Sequence, residues 1–257
     1  MTSPLLDQAT ALVWEQGRRG VFLPVELRGK LELPDAYRVN LGILQRHLAL
    51  GERQAGWKVG LTAKAMREQQ KVHEPCFGFL LASSHKASGH HFALGNLIAP
   101  GFENELCIRI GTTLRGPGVD FEQARRAIAA VAPALEIVEK RGDFAADLAL
   151  TMADNAQQKA FVTGPEMPLG LFDPADSFVD VYRDDQHLEH ASGAEVMGSS
   201  IYSIAWLANK LAEFDLALEA GMRVMSGSYT KQISIDSACR IVSRFVPFGD
   251  VAAEFHA

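Results

Sequence analysis

Glu103 and Glu105 stand one residue apart in "PGFENELCIRIG" (100–111), with Asn104 between them and Leu106, Cys107, Ile108 and Ile110 following. The stretch reads as a strand. Strand side chains alternate faces, so the two carboxylates fall on one face and repel each other. A third acid, Glu136, lies between Leu135 and Ile137 in "PALEIVEKRGDF", which is apolar enough for an interior strand. A carboxylate placed there needs a partner or a cation. Three carboxylates converging on one point would bind a hard divalent ion such as Mg²⁺ or Mn²⁺ through oxygen. The same spacing also suits a wet edge strand with Glu136 exposed, and by spacing alone both readings stay open.

Lys58 in "GWKVGLT" (56–62) is flanked by Trp57 and Val59, which point to the opposite face of a strand. In a pocket such a lysine holds a substrate carboxylate or acts as a base. On an exposed edge it only guards against strand pairing. "MSGSYTKQ" (225–232) is a Ser–Gly–Ser turn after an apolar strand. Its small residues let backbone N–H groups and hydroxyls approach an anion, although ordinary polar turns look the same. His73, His85, His90, His91, His187 and His190 sit mostly in polar stretches, with no HxxxH or HExxH pattern. No GxSxG nucleophile elbow occurs.

The elements that must position these residues follow from periodicity and punctuation. Apolar spacing predicts a helix over 4–18 with Ser3 as N-cap, and a second over 34–51 between Pro34 and Gly51. A strand is expected over 55–62 and a helix over 63–70. Further strands are expected near 102–111, 133–139, 158–164, 177–183, 222–227 and 241–247, and helices at 121–131 and 199–213. "VYRDDQHLEH" reads as a hairpin. The polar stretch 83–91 marks a soft boundary between an N-terminal α/β lobe (1–90) and a β-rich catalytic domain (91–257). Many strands and few helices in the second part favour an α+β, β-rich fold over a doubly wound sheet.

Composition narrows the class. The chain has 257 residues, 47% hydrophobic and 22% charged, with net charge −6, as expected of a globular domain with a sizeable core. No basic block interleaved with aromatics suggests nucleic acid, and no apolar run reaches membrane-span length. Cys76, Cys107 and Cys239 form no CxxC pair, which suits a reducing cytoplasm. The N-terminus lacks the pattern of a secretory signal.

Eight stretches, in order, resemble the fumarylacetoacetate hydrolase superfamily. They are "GWKVGLTAKAM", "EPCFGFL", "IAPGFENELCIRIG", "LRGPG", "PALEIVEKR", "MADNAQQ", "AWLANKLAEFDLALEAG" and "SGSYTKQ", covering about 56–232. The resemblance is strongest to the branch of 2-keto-4-pentenoate hydratases, 2-oxohept-4-ene-1,7-dioate hydratases and 4-oxalocrotonate decarboxylases. It implies a β-sandwich roll with a smaller N-terminal part. It also implies Mg²⁺ or Mn²⁺ held by Glu103, Glu105 and Glu136, with Lys58 as the catalytic lysine. Around a small 2-oxo acid it places Cys76, Phe77, Arg141, Gln157, Ser226, Ser228 and Thr230. The implied activity is a hydratase of aromatic catabolism, with a 2-oxo-3-enedioate decarboxylase second. An acylpyruvate-type C–C hydrolase or a non-catalytic subunit stands behind these. A homo-oligomer is implied, and a complex with a sister hydratase or decarboxylase is open. Two departures stand out. Cys76, expected at the pocket mouth, replaces the hydratases' aspartate where the decarboxylases carry an apolar residue. Asp154-Asn155-Ala156-Gln157 replaces the family's "DNAS".

Overall fold

The computed structural model describes residues 4–142 and 146–257. The first half of the chain runs α1 (Pro4–Gly17), α2 (Leu33–Ala49), β1 (Gln54–Gly60), α3 (Lys64–Gln70), β2 (Cys76–Leu81), β3 (His85–Ala87), β4 (His90–Ala93) and β5 (Pro100–Ile110). It continues through α4 (Phe121–Ala127), β6 (Ile128–Glu139), α5 (Leu148–Ala153), β7 (Gln158–Thr163), β8 (Phe178–Arg183) and β9 (Gln186–Ser192). It closes with α6 (Ser200–Ala212), β10 (Arg223–Ser228), β11 (Ile233–Ser234), β12 (Cys239–Val246) and β13 (Gly249–His256). The expected Ser3 cap lies outside the described residues.

Two sheets carry the fold. The larger runs β2-β1-β10-β5-β6-β7-β3, with β11 also on β5; the smaller runs β4-β13-β12-β8-β9. β5 and β6 pair along nearly their whole length, from Pro100↔Glu139 to Ile110↔Ile128. This explains one difference from the sequence reading. Residues 128–131 extend the strand and do not continue α4, because "IAAVA" lies opposite the end of β5, where pairing and burial of Val131 outweigh local helix propensity. α4 does start as its residues predict, with a capping box between Asp120 and Gln123.

The larger sheet is curled. Its convex side packs against the helices and the smaller sheet through Leu106, Ile108, Val131, Leu135 and Ile137. Its concave side holds a separate small core of Leu80, Cys107, Ala132, Ala134, Phe161 and Met225. β1 and β2 come from the first 90 residues, yet β1 lies between β2 and β10 inside this sheet. α1 and α2 pack on one another, and α2 also packs on α5. β2, β3, β4 and β13 are strands that the periodicity alone does not show. Two of them are short: β3 has three residues inside the polar stretch 83–91, and β4 has four and starts at its end. No helix among the described residues is long and apolar enough to cross a membrane.

Candidate metal and substrate site

Glu103 and Glu105 lie on the same face of β5, and Glu136 on β6 is the register partner of Glu103. One carboxylate oxygen from each lies within 4.8 Å of the others, the one such group among the described residues. Glu105 and Glu136 are fully buried and Glu103 is half-buried. Lys58, only 4% exposed, points to the same side from β1, its Nζ 3.4 Å from Glu136 Oε1. Trp57 and Val59 face the opposite way into the main core, as strand alternation requires.

A bulge near the end of β10 contributes through its backbone. The pairing of β10 with β5 breaks register between Met225 and Ser228, and this bulge turns the Gly227 N–H toward Glu105, where it donates to Oε2 at 2.9 Å. Gly227 has φ +110°, and a Cβ there would collide with the Thr62 side chain, so only glycine suits the position.

One ammonium for three carboxylates, two of them fully buried, is an unbalanced charge set among the described residues. Burial, then Glu136, push Glu103 up to about 7, with Lys58 pulling the other way. Burial first, then Glu136 and Glu103, raise Glu105 well above the usual carboxylate range. Glu136 is also raised by burial, against the pull of Lys58. Burial works against the charge on Lys58, but Glu136 and then Glu103 outweigh it and hold the ammonium more firmly protonated than usual. Glu105 Oε1 and Glu136 Oε2 are buried without a hydrogen-bond partner. Orphaned anionic oxygens are costly inside a protein unless a cation fills the gap. An all-oxygen donor set matches a hard divalent ion and not a thiolate-preferring one. The residues therefore fit the metal that the sequence suggests.

The other expected substrate contacts divide into two groups. Cys76 faces the site but is buried, not at a mouth. Its Sγ and Lys58 Nζ would lie 3.0 and 3.4 Å from a Cβ on Gly60, so thiol and ammonium converge over that glycine. Burial pushes the Cys76 thiol up to about 11, with Lys58 drawing it down. Phe77 faces away, stacked on Tyr37 at 4.4 Å and edge-on to Trp57, because adjacent strand residues take opposite faces. Arg141 is committed to Asp154 (Nε to Oδ2, 2.6 Å) and Glu139 (3.2 Å) and leaves no free fork for a substrate. Gln157 donates to Gly142 O at 3.4 Å. The loop hydroxyls serve the fold. Ser226 donates to Leu106 O at 2.9 Å, Ser228 accepts from Asn104 N at 3.2 Å, and Thr230 accepts from Asn104 Nδ2 at 2.8 Å. Asn104, turned away from the carboxylates, also accepts from Ser243 at 2.6 Å and so ties the two sheets together. Sequence reasoning offered the backbone N–H groups of the Ser–Gly–Ser turn to an anion but did not identify Glu105 as the acceptor of the Gly227 amide, and it missed the room made by Gly60. The glycines in "KVG" and "SGS" were the available signals.

This curled sheet carries a carboxylate triad that fits a hard divalent ion, and comparison with known proteins gives the family. The fumarylacetoacetate (FAA) hydrolase C-terminal family matches residues 46–255, and the chain belongs to it. A 2-hydroxyhexa-2,4-dienoate hydratase of Comamonas testosteroni is 35% identical over 204 residues, 77% of each chain. A 4-oxalocrotonate decarboxylase of Pseudomonas putida is 31% identical over 228 residues, 88% of this chain and 86% of that one. The solved 4-oxalocrotonate decarboxylase from Pseudomonas putida G7, complexed with magnesium and adipate, superposes with a TM-score of 0.91 at 29% identity, covering 97% of each chain.

Proposed function

We propose that this protein is a divalent-metal-dependent hydratase that adds water to a 2-hydroxydienoate or 2-oxo-enoate. The observation that carries the reading is the buried triad Glu103, Glu105 and Glu136, with orphaned oxygens and Lys58 beside it, in a chain whose relatives include several dienoate hydratases. Glu103, Glu105 and Glu136 would hold Mg²⁺ or Mn²⁺, which supplies Lewis acidity toward the 2-oxo oxygen of the substrate.

The residues of the chain do the rest. The Gly227 N–H fixes the rotamer of Glu105, and Lys58 offsets charge at Glu136 in the metal-free protein. When an anionic 2-oxo acid enters, the Lys58 ammonium stabilises negative charge that builds on it in the transition state. In the hydration, ketonisation moves the 2-hydroxyl proton to the distal diene carbon and leaves a conjugated enone. Water then adds at C4 and a proton at C3, so the net change is addition of one water. The Lys58 ammonium, held more firmly protonated than usual against the pull of burial by Glu136 and Glu103, acts there as a fixed positive charge and not as the proton donor. The buried Cys76 thiol stays neutral near pH 7 and cannot act as the carboxylate base it replaces.

Two observations favour a second reading, a 2-oxo-3-enedioate decarboxylase. The solved decarboxylase shares the fold over 97% of both chains, and Cys76 is not an aspartate. Decarboxylation would use the same stabilisation of an enolate, with CO₂ leaving in place of water addition. A homo-oligomer, and association with a sister hydratase or decarboxylase, belong to the same proposal and are tested by light scattering. The deciding experiment follows ultraviolet absorbance over a panel of 2-hydroxydienoates and 2-oxo-enedioates, with and without Mn²⁺, with CO₂ detection. Metal-dependent hydrated product supports the hydratase. CO₂ without hydrated product transfers the assignment to the decarboxylase.

A further inference from the structure

The edge strand β2 approaches β7 across the curled sheet, and the side chain of Asn155, just ahead of β7, hydrogen-bonds to the edge of β2. Asn155 Oδ1 accepts from Phe79 N at 2.8 Å, and its Nδ2 donates to Phe79 O at 3.0 Å. The amide therefore pairs with β2 as the backbone of a neighbouring strand would. Oδ1 also accepts from Asn40 Nδ2 of α2 at 3.0 Å. The backbone behind it is unusual. Asn155, Ala156 and Gln157 have φ of +57°, +49° and +64°, three successive non-glycine residues in the left-handed region. Such strain persists only where the surroundings enforce it, and it gathers at functional sites. Arg141 enforces it from both flanks, donating to Asp154 O at 2.9 Å and Gln158 O at 3.3 Å.

What this turn presents is the carboxamide of Asn155, next to the site. Gly78 on β2 is the register partner of Lys58. A Cβ on Gly78 would come within 2.6 Å of Asn155 Oδ1. The carboxamide thus takes the space of the side chain that residue 78 lacks, beside Lys58 and on the strand that carries Cys76.

We infer that Asn155 is a positioning residue: by pairing with the edge of β2 it holds Cys76 and Lys58 against the carboxylate triad. The catalytic half of this inference rests on the proposed lyase function; the strand-holding half does not. Cysteine alkylation resolved by peptide mass spectrometry separates them, because Cys76 lies on β2 and the equally buried Cys107 lies on β5. In Asn155→Ala, iodoacetamide should label Cys76 at least ~10-fold faster than in the wild type, while Cys107 changes less than about twofold, as expected of local opening. The same variant should lose at least ~10-fold in kcat with KM changed less than about threefold, the signature of misplaced reacting groups. Asn155→Asp keeps the acceptor for Phe79 N but loses the donor to Phe79 O, so its labelling should fall between. It also carries the test if Asn155→Ala does not fold. Unchanged Cys76 labelling overturns the inference, and so does labelling of Cys76 and Cys107 that rises together, which would make Asn155 a support of the whole fold. Selective labelling with unchanged kcat overturns the catalytic half. A wild type without turnover on the whole substrate panel overturns the proposed function, while selective labelling still upholds the tie.

Discussion

Lys58 Nζ lies 3.4 Å from Glu136 Oε1, both side chains almost wholly buried, and among the described residues it is the one ammonium set against three carboxylates. A buried pair of this kind seldom adds net stability. Here two further acids crowd the same space, so the arrangement stores electrostatic repulsion that a bound cation relieves.

Removing a carboxylate should therefore cost metal affinity. Glu105→Gln keeps the shape and an acceptor for the Gly227 N–H but loses the charge. Mn²⁺ affinity by calorimetry should fall at least ~10-fold, about 1.4 kcal/mol. Wild-type affinity in that variant would remove Glu105 from the ligand set.

Lys58→Met should separate metal binding from turnover. Loss of the ammonium removes a competitor for the carboxylates, so Mn²⁺ affinity should hold or rise. kcat/KM should drop roughly 10²–10³-fold as the developing negative charge on the substrate loses its ammonium. Normal turnover would leave Lys58 only a charge-balancing role.

The metal should stabilise the protein more at high pH. Glu103 rises from an ordinary value of 4.5 to about 7 on folding without metal, and Glu105 and Glu136 also rise. A folded state that holds extra protons loses stability as pH climbs through this window. The metal-free melting temperature should fall between pH 4.5 and pH 7. The increase on adding Mn²⁺ should be larger at about pH 8 than at about pH 5.5, where protons compete with the metal. Equal increases measured by scanning calorimetry would contradict this electrostatic account.

Cys76→Asp should show which reaction the pocket runs. An aspartate carries a charge at neutral pH that a thiol with a reference pKa of about 8.5 lacks, and here it would face the Lys58 ammonium. Hydratase activity should be kept or raised. Decarboxylation of a dianionic substrate should slow through repulsion. Hydrated product and CO₂, measured for both proteins on the same substrates, give the answer.

Gly227→Ala should weaken metal binding without touching a ligand. The left-handed φ and the collision with Thr62 force the bulge to shift, carrying away the amide that holds Glu105. Backbone strain of this kind is of order 1–3 kcal/mol. A loss of Mn²⁺ affinity with only a small drop in melting temperature is expected, and unchanged affinity would show that the bulge does not position Glu105.

Much of this was legible in the residues themselves. Period-two alternation alone put Glu103 and Glu105 on one face and turned Trp57 and Val59 away from Lys58, because side-chain direction along a strand is a local property. Helix starts and stops were equally local, and α2 and α6 lie within about two residues of where spacing and punctuation put them. What required the tertiary structure was everything set by pairing between distant segments. Glu103 faces Glu136 only because β5 and β6 pair in one particular register. Alternation along β2 separates Phe77 from Cys76, but which of the two faces is the core and which the site is decided by how β2 sits in the sheet. The hydroxyls of 226–230 looked like ligand donors until Asn104 and the backbone of β5 claimed them. Asn155 lay in the "MADNAQQ" stretch, but its role was not legible there, since it depends on a strand edge formed by residues far from it in the chain. Local chemistry follows from residue type and spacing; which groups share a site follows from register and closure, and those are properties of the whole chain.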